Sequence, residues 1–206
     1  MRNFKKTLSF LLSTVIIVSS VAGVGTTVFA ATDEHTYKNF KYRILDDNTA
    51  EICGYTGKNA VVTVPDSIDS KPVTSIGRTA FYSGKIKEVT IPDTVRSIKW
   101  WAFYGCESLE KINLNFGLKT VGYGAFMNCK KLKSVSIPMS VTQICDDSFA
   151  VSCSTKKGVF DTYSKQTIST QQYSTDSLFT LEGYSGTVAE KYCNDNSLNF
   201  VSLGNV

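Results

Sequence analysis

The chain has one histidine, His35, six cysteines and two Asp-Asp pairs, Asp46-Asp47 and Asp146-Asp147. Spacing limits what these residues can do. A general base must be held within hydrogen-bond reach of the proton it takes. His35 falls in "ATDEHTYK", which reads as a flexible leader over 31–39, so it reads as a spacer residue. Without a second histidine, neither a Cys–His nor a Ser–His pair can be assembled in the core. A zinc site takes four ligands at close spacing; Cys145 and Cys153 stand eight apart and are not that. Neighbouring carboxylates on a turn point apart, whereas glycoside hydrolysis and calcium binding need oxygens that converge. Asp146-Asp147 therefore reads as an acidic surface turn, and Asp46-Asp47 followed by Asn48 as another. No glycine loop able to cradle a phosphate is present. The expectation is a chain with no catalytic residue, no metal and no cofactor.

What the sequence does contain is a repeat. Phe103, Phe126 and Phe149 lie 23 residues apart, as do Val89, Ile112 and Val135. Ile91, Leu114 and Ile137 keep the same interval, as do Val95, Leu118 and Val141, and Ile98, Val121 and Ile144. An earlier unit carries Val62, Val64, Val73, Ile76, Ala80 and Phe81 with a five-residue insertion. A period in the twenties signals stacked coils, each unable to bury its apolar face alone. Within a coil, Leu109, Ile112 and Leu114 read L-x-x-L-x-L, and the alternation of the last two is that of a short strand. Pro65, Pro92 and Pro138 end those strands, because proline cannot donate to a ladder. The following Ala-Phe suits a tight helical turn that drops a ring into the core.

"IPDTVRSIKWWAFYGCESLEKI" and "GLKTVGYGAFMNCKKLKSVSIP" resemble the BspA-type (Treponema pallidum-like) leucine-rich repeats of bacterial secreted and surface proteins, with pattern L-x-x-L-x-L-P-x-x-L-x-x-I-G-x-x-A-F-x-x-C-x-x. The resemblance covers about residues 40–203. It implies an α/β, right-handed leucine-rich repeat solenoid with one short parallel strand per coil, short helical turns on the return side, and caps at both ends. It also implies an interaction module, since some relatives bind host extracellular proteins. Three positions depart from the pattern: Asn115 replaces Pro, Cys145 replaces Gly and Ser148 replaces Ala. The domain then reads as an N-cap over 40–61, repeats over about 62–153, an irregular insertion over 154–176 and a C-cap over 177–206. In the last, "LFTLEG" and "LNFVSL" read as strands and "SGTVAEKYCNDN" as a short helix.

The first thirty residues read as a secretory signal peptide: Arg2, Lys5 and Lys6, an apolar run, then Val28-Phe29-Ala30 before the cut. Three of the 22 Lys and Arg fall there, which leaves 19 against 18 Asp and Glu. So balanced a chain lacks the clustered cations that bind nucleic acid or anionic lipid, and Lys130, Lys131 and Lys133 read as a solvated turn. The expected localisation is secreted or cell-surface, with no membrane attachment after cleavage. Six cysteines in an exported chain suggest disulfides. Cys106 and Cys129 share one repeat slot, however, and Cys153 nearly does. Side chains in stacked slots run alongside one another rather than toward each other, so buried thiols are expected. Pairing among Cys53, Cys145 and Cys193 stays open.

Function is then expected on the surface. One candidate binding face is the outward ladder Lys87, Glu88, Thr90, then Glu110, Lys111, Asn113, then Lys133, Ser134, Ser136. The other is an aromatic patch of Trp100, Trp101 and Tyr123, with Tyr104 and Phe116 as weaker members. The alternative for the tryptophans is that they fold down over the coil edge, Trp101 covering Gly124. The partner is expected to be a protein, such as a host extracellular protein, or alternatively a cell-envelope glycan. The sequence leaves the oligomeric state open.

Overall fold

The computed structural model describes residues 33–149 and 179–206, together with the backbone of 152–155, 159–161, 166–168 and 171–174. The chain divides into two units, Met1–Ala31 and Thr32–Val206, and the signal-peptide reading of residues 1–30 lies outside the described residues. The strands are β1 (His35–Tyr37), β2 (Phe40–Ile44), β3 (Ala50–Tyr55), β4 (Val61–Thr63), β5 (Ser67–Ile68) and β6 (Lys71–Ile76). They continue with β7 (Glu88–Thr90), β8 (Ser97–Ile98), β9 (Lys111–Asn113), β10 (Thr120–Val121), β11 (Ser134–Ser136) and β12 (Gln143–Ile144). After β13 (Ser152–Thr155), β14 (Val159–Asp161), β15 (Gln166–Ile168) and β16 (Gln171–Ser174) come β17 (Thr180–Ser185), helix α1 (Val188–Asn196) and β18 (Asn199–Asn205).

Each repeat contributes two short strands, where the spacing predicts one. The first set pairs in parallel as β4-β7-β9, with Val62, Val89 and Ile112 in register. It resumes as β11-β17-β18. The second set pairs in parallel as β6-β8-β10-β12, aligning Ile76, Ile98, Val121 and Ile144. A two-residue strand has a single inward side chain, which is too short a run for period two to show in the sequence. The antiparallel hairpin β2–β3 pairs with β6. Residues 35–37, read as leader, form β1 on the other edge of β2. The stretch read as an irregular insertion holds two antiparallel pairs, β13–β16 and β14–β15.

The phenylalanines stack in a column. Successive ring centroids lie 4.8 Å apart for Phe81–Phe103, 5.2 Å for Phe103–Phe126 and 5.2 Å for Phe126–Phe149, with planes within 11° of parallel. Phe179 continues the column 5.4 Å from Phe149, although the stretch before it breaks the 23-residue register. Backbone bonds tie the same turns together: Phe81 N–H donates to Ala102 O, Phe103 to Ala125 O and Phe126 to Ser148 O, at 2.7, 2.8 and 2.7 Å.

These return segments are runs of hydrogen-bonded turns rather than the helical turns expected. Ala102, Tyr104 and Cys106 each donate three residues back, to Lys99, Trp101 and Phe103, but left-handed residues interrupt any helix. Thr79, Trp101, Gly124 and Asp147 occupy one repeat slot with φ of 55°, 56°, 56° and 53°. A left-handed conformation costs a residue with a Cβ about 1–2 kcal/mol, and a β-branched one most of all. Thr79 is exposed. Thr79→Gly is therefore expected to stabilise the fold by about 0.5–1 kcal/mol, after the extra chain entropy of glycine is subtracted. A higher denaturant midpoint at unchanged m-value checks this.

The departures from the repeat pattern are accommodated locally. Asn115 is buried; its Nδ2 donates to Val95 O at 3.2 Å and its Oδ1 accepts from Gly117 N–H at 2.6 Å. The amide so closes the turn that proline presets elsewhere. Leu118 still donates to Asn115 O, as Val95 does to Pro92 O and Val141 to Pro138 O. Ser148 is also buried, and its hydroxyl lies 2.9 Å from Gly122 O. Helix α1 buries Ala189, Tyr192 and Cys193. Among the described residues no helix is long and apolar enough to cross a membrane.

Candidate functional site

The outward ladder of the first strand set is polar because only every second residue of each strand faces the core. Lys87, Glu110, Lys111, Lys133, Ser134 and Ser136 are exposed; Glu88, Thr90 and Asn113 are half-buried. Several of its charges pair across coils. Lys111 Nζ lies 3.0 Å from Glu88 Oε1, and Asn113 Nδ2 donates to Glu88 Oε1 at 3.0 Å and to Thr90 Oγ1 at 3.2 Å. Those two donors hold the Glu88 carboxyl below its ordinary value. Glu110 faces Lys131 at 3.6 Å, and Ser136 donates to Glu182. The structure brings the predicted residues of this face together as a mixed, internally paired surface.

The aromatic patch is larger than the sequence suggested. Trp100 and Trp101 stack with centroids 5.6 Å apart, and the Arg78 guanidinium lies 4.4 Å from the Trp100 ring centre and 5.2 Å from that of Trp101. Cations over tryptophan faces are attracted by the ring quadrupole. Trp101 meets Tyr123 and Tyr104 edge-on, at 6.3 and 6.4 Å. Tyr104 in turn stacks on Tyr82 at 5.4 Å. Trp101 does lie over Gly124, where an added Cβ would stand 2.7 Å from Trp101 Cδ1. Both tryptophans remain half-buried rather than buried. Phe116 stands apart, 84 % exposed on its own turn. Beyond Tyr123, burial raises the Asp147 carboxyl, a Tyr123 hydrogen bond opposes that rise and Asp146 adds to it. Arg78 and Tyr82 escape a sequence reading because their slots are variable and only stacking relates them to the tryptophans.

One buried ionic cluster was not expected. Glu51 on β3 is 1 % exposed and is contacted by Arg43 and Lys99. Ser75 Oγ also donates to it, at 2.8 Å. Burial by itself pushes this carboxyl up. The hydrogen bonds from Lys99 and Ser75 and the charges of Lys99 and Arg43 outweigh burial and hold it below its ordinary value. Lys99 occupies the slot that is Gly77 one coil earlier and Gly122 one coil later. A Cβ on Gly77 would stand 2.7 Å from Ile52 O and 3.0 Å from Glu51 Oε1, so glycine there keeps room for the carboxylate. The cluster joins hairpin β2–β3 to the first two coils. Nearby, Lys41, Lys58, Lys85, Tyr55 and Tyr82 line a cleft of about 320 Å³.

The cysteines carry no bridge among the described residues. Cys53, Cys106, Cys129 and Cys193 are free thiols, and Cys145 Sγ accepts from Gln143 Nε2 at 3.7 Å; the side chain of Cys153 lies outside the described residues. Cys106 Sγ donates to Phe81 O at 2.9 Å and Cys129 Sγ to Phe103 O at 3.2 Å, so the shared slot repeats one contact. Burial pushes the Cys106 thiol up to about 12 and Cys129 well above the ordinary value. Neither has the thiolate character of a nucleophile. His35 packs at 5.3 Å against Tyr42, with Nε2 3.7 Å from Asp33.

Successive coils, paired in parallel around a ladder of buried leucines, isoleucines, valines and phenylalanines, define a leucine-rich repeat solenoid. The model of the BspA-type leucine-rich repeat region matches residues 63–199 in six copies, and the chain belongs to that family. No curated protein matches it. Among solved structures it is similar to a leucine-rich repeat protein from Bacteroides capillosus, at 32 % identity and TM-score 0.53, over 55 % of this chain and 88 % of that one. A leucine-rich repeat protein of T. pallidum is 30 % identical, with TM-score 0.48, over 56 % and 66 %. A leucine-rich cell surface protein from Faecalibacterium prausnitzii is 26 % identical, with TM-score 0.50, over 75 % of this chain but only 46 % of its own length.

Proposed function

We propose that the chain is an exported, non-enzymatic protein-interaction module, and that the edge bearing Arg78, Trp100, Trp101, Tyr104 and Tyr123 anchors its partner. Repeat arrays of this class bind through extended surfaces rather than pockets. The observation that carries the reading is Trp101 itself. It keeps a large ring in a left-handed slot where the next coil has Gly124. That backbone recurs at Thr79 and Asp147 and so belongs to the fold; what is particular to this coil is the large ring the slot carries, stacked on Trp100 beside Arg78. Trp, Tyr and Arg are also the types that dominate binding energy at interfaces. The polar strand ladder would supply complementarity around this anchor. Export rests on the cationic, apolar and small-residue pattern of the first thirty residues. The surface assignment of a 26 % identical neighbour is consistent with it.

An array of extracellular-matrix proteins probed with the wild-type chain tests the proposal. Trp100→Ala and Trp101→Ala should each weaken any detected binding at least about tenfold, the effect of a central aromatic anchor. Unchanged binding in both variants would remove the aromatic edge from the function. A glycan array that alone gives signal, lost in the same variants, would move the partner from protein to carbohydrate.

A further inference from the structure

The cleft of about 320 Å³ lies where hairpin β2–β3 meets the first coil. Three separate stretches of chain build it: β2 with Lys41, the loop after β3 with Lys58, and the loop after the first return turn with Lys85. Its volume stands at the small end of ligand sites, about 300–1,000 Å³. The floor is apolar, since Ala80, Phe81 and Ile86 line the cleft and are buried. Tyr55 stands against that floor and packs on Phe40 at 5.2 Å and on Phe81 at 5.5 Å. It begins the column that Phe81 continues, and it is half-buried where the later rings are buried. A Cβ on Gly57 would collide with the Tyr55 hydroxyl, so glycine there makes room for the ring. The hydroxyls of Tyr55 and Tyr82 and the amide of Asn59 make no hydrogen bond among the described residues.

The charges of the cleft are unbalanced. Lys41 meets Glu34 at 3.8 Å, whereas Lys58 and Lys85 form no ion pair among the described residues. Three ammonium groups against one carboxylate leave two positive charges uncompensated. A cleft lined by one sign of charge concentrates ions of the other.

We propose that this cleft binds a saccharide of one or two rings that carries a carboxylate. The flexible stems of Lys58 and Lys85 bring their ammonium groups to the carboxylate, where they donate charge-assisted hydrogen bonds. The Tyr55 hydroxyl and the Asn59 amide each donate and accept, as sugar hydroxyls do. The apolar C–H face of a sugar rests on the Tyr55 ring and the floor below it. An acidic peptide side chain only accepts, and it would leave the acceptors of Tyr55 and Asn59 without donors. The proposal is independent of Trp100 and Trp101, neither of which lines the cleft.

Isothermal titration calorimetry on the purified chain at low salt tests it with three probes: digalacturonate, the neutral disaccharide galactobiose and the peptide triglutamate. Digalacturonate should bind saturably with a Kd of about 1 mM or tighter, and at least tenfold more tightly than either other probe. Lys58→Gln with Lys85→Gln removes two charges at exposed positions and should weaken digalacturonate at least tenfold. Tyr55→Phe keeps the ring, removes one hydroxyl and should weaken it about threefold to tenfold. Thermal melting at the wild-type temperature shows that each variant keeps the fold. Trp100→Ala should leave digalacturonate binding unchanged, which separates this site from the aromatic anchor. Each of the following would overturn the proposal: no saturable digalacturonate binding below about 10 mM, equal binding of galactobiose or triglutamate, wild-type affinity in either cleft variant, or loss of binding in Trp100→Ala.

Discussion

Phe103→Ala should lower the stability of the protein by about 3–5 kcal/mol, the range for emptying a well-packed aromatic site. Phe103 is 0 % exposed and lies between Phe81 and Phe126, with both ring planes 9° from its own. The substitution therefore loses burial on all sides and two aromatic contacts, each worth about 0.5–1.5 kcal/mol beyond area. A solenoid makes contacts only between neighbouring repeats. The loss is not shared out across the molecule, and it weakens the joint between the first coil and the third. Phe116→Ala is the control. Its ring is 84 % exposed, and its removal should change stability by no more than about 0.5 kcal/mol. Equilibrium urea unfolding of the two variants measures the difference.

Glu51→Ala is expected to cost about 3 kcal/mol. Removing one member of a buried ionic cluster leaves charges without compensation and costs about 3–5 kcal/mol in general. Here the partners soften the loss, because the side chains of Arg43 and Lys99 are 41 % and 34 % exposed and can regain water. The effect depends on pH with a definite sign. The folded carboxyl lies below its ordinary value of 4.5. The ionised form thus stabilises the fold above that value, and the contribution disappears as pH falls through the lower folded value. Wild type and Glu51→Gln should differ most at neutral pH and converge in acid. A difference that stays constant from neutral pH to about pH 3 would show that Glu51 acts by shape and not by charge.

The spacing of Phe103, Phe126 and Phe149 made the core legible before any coordinates, because each coil places one ring in one slot and the period cannot be mistaken. The second strand of the later coils was not legible, because β8, β10 and β12 each consist of one inward residue and one outward residue. The turns at Thr79, Trp101 and Asp147 were read as helical because Ala-Phe suits a helical turn, and the left-handed backbone there was announced only by Gly124, and more weakly by Asp147, while threonine and tryptophan in the same slot hid it. Of the candidate site, Trp100, Trp101 and Tyr123 were visible as large residues in variable slots. Arg78 and Tyr82 were not, because their role comes from stacking across coils. Glu51 left one signal that could have been used. A lysine in the glycine slot at position 99 needs a partner for its charge, and the structure supplies it from a hairpin 48 residues earlier in the chain.

The account stands on rings of successive coils touching inside one spiral, and aromatic nuclear Overhauser contacts in a chain with labelled phenylalanines measure that directly. Phe81–Phe103, Phe103–Phe126 and Phe126–Phe149 should each give strong ring-to-ring contacts at their spacings of 4.8, 5.2 and 5.2 Å, and Phe81–Phe149 none. Absence of the three neighbour contacts, or a contact between Phe81 and Phe149, would contradict the stacked solenoid and the surface built on it.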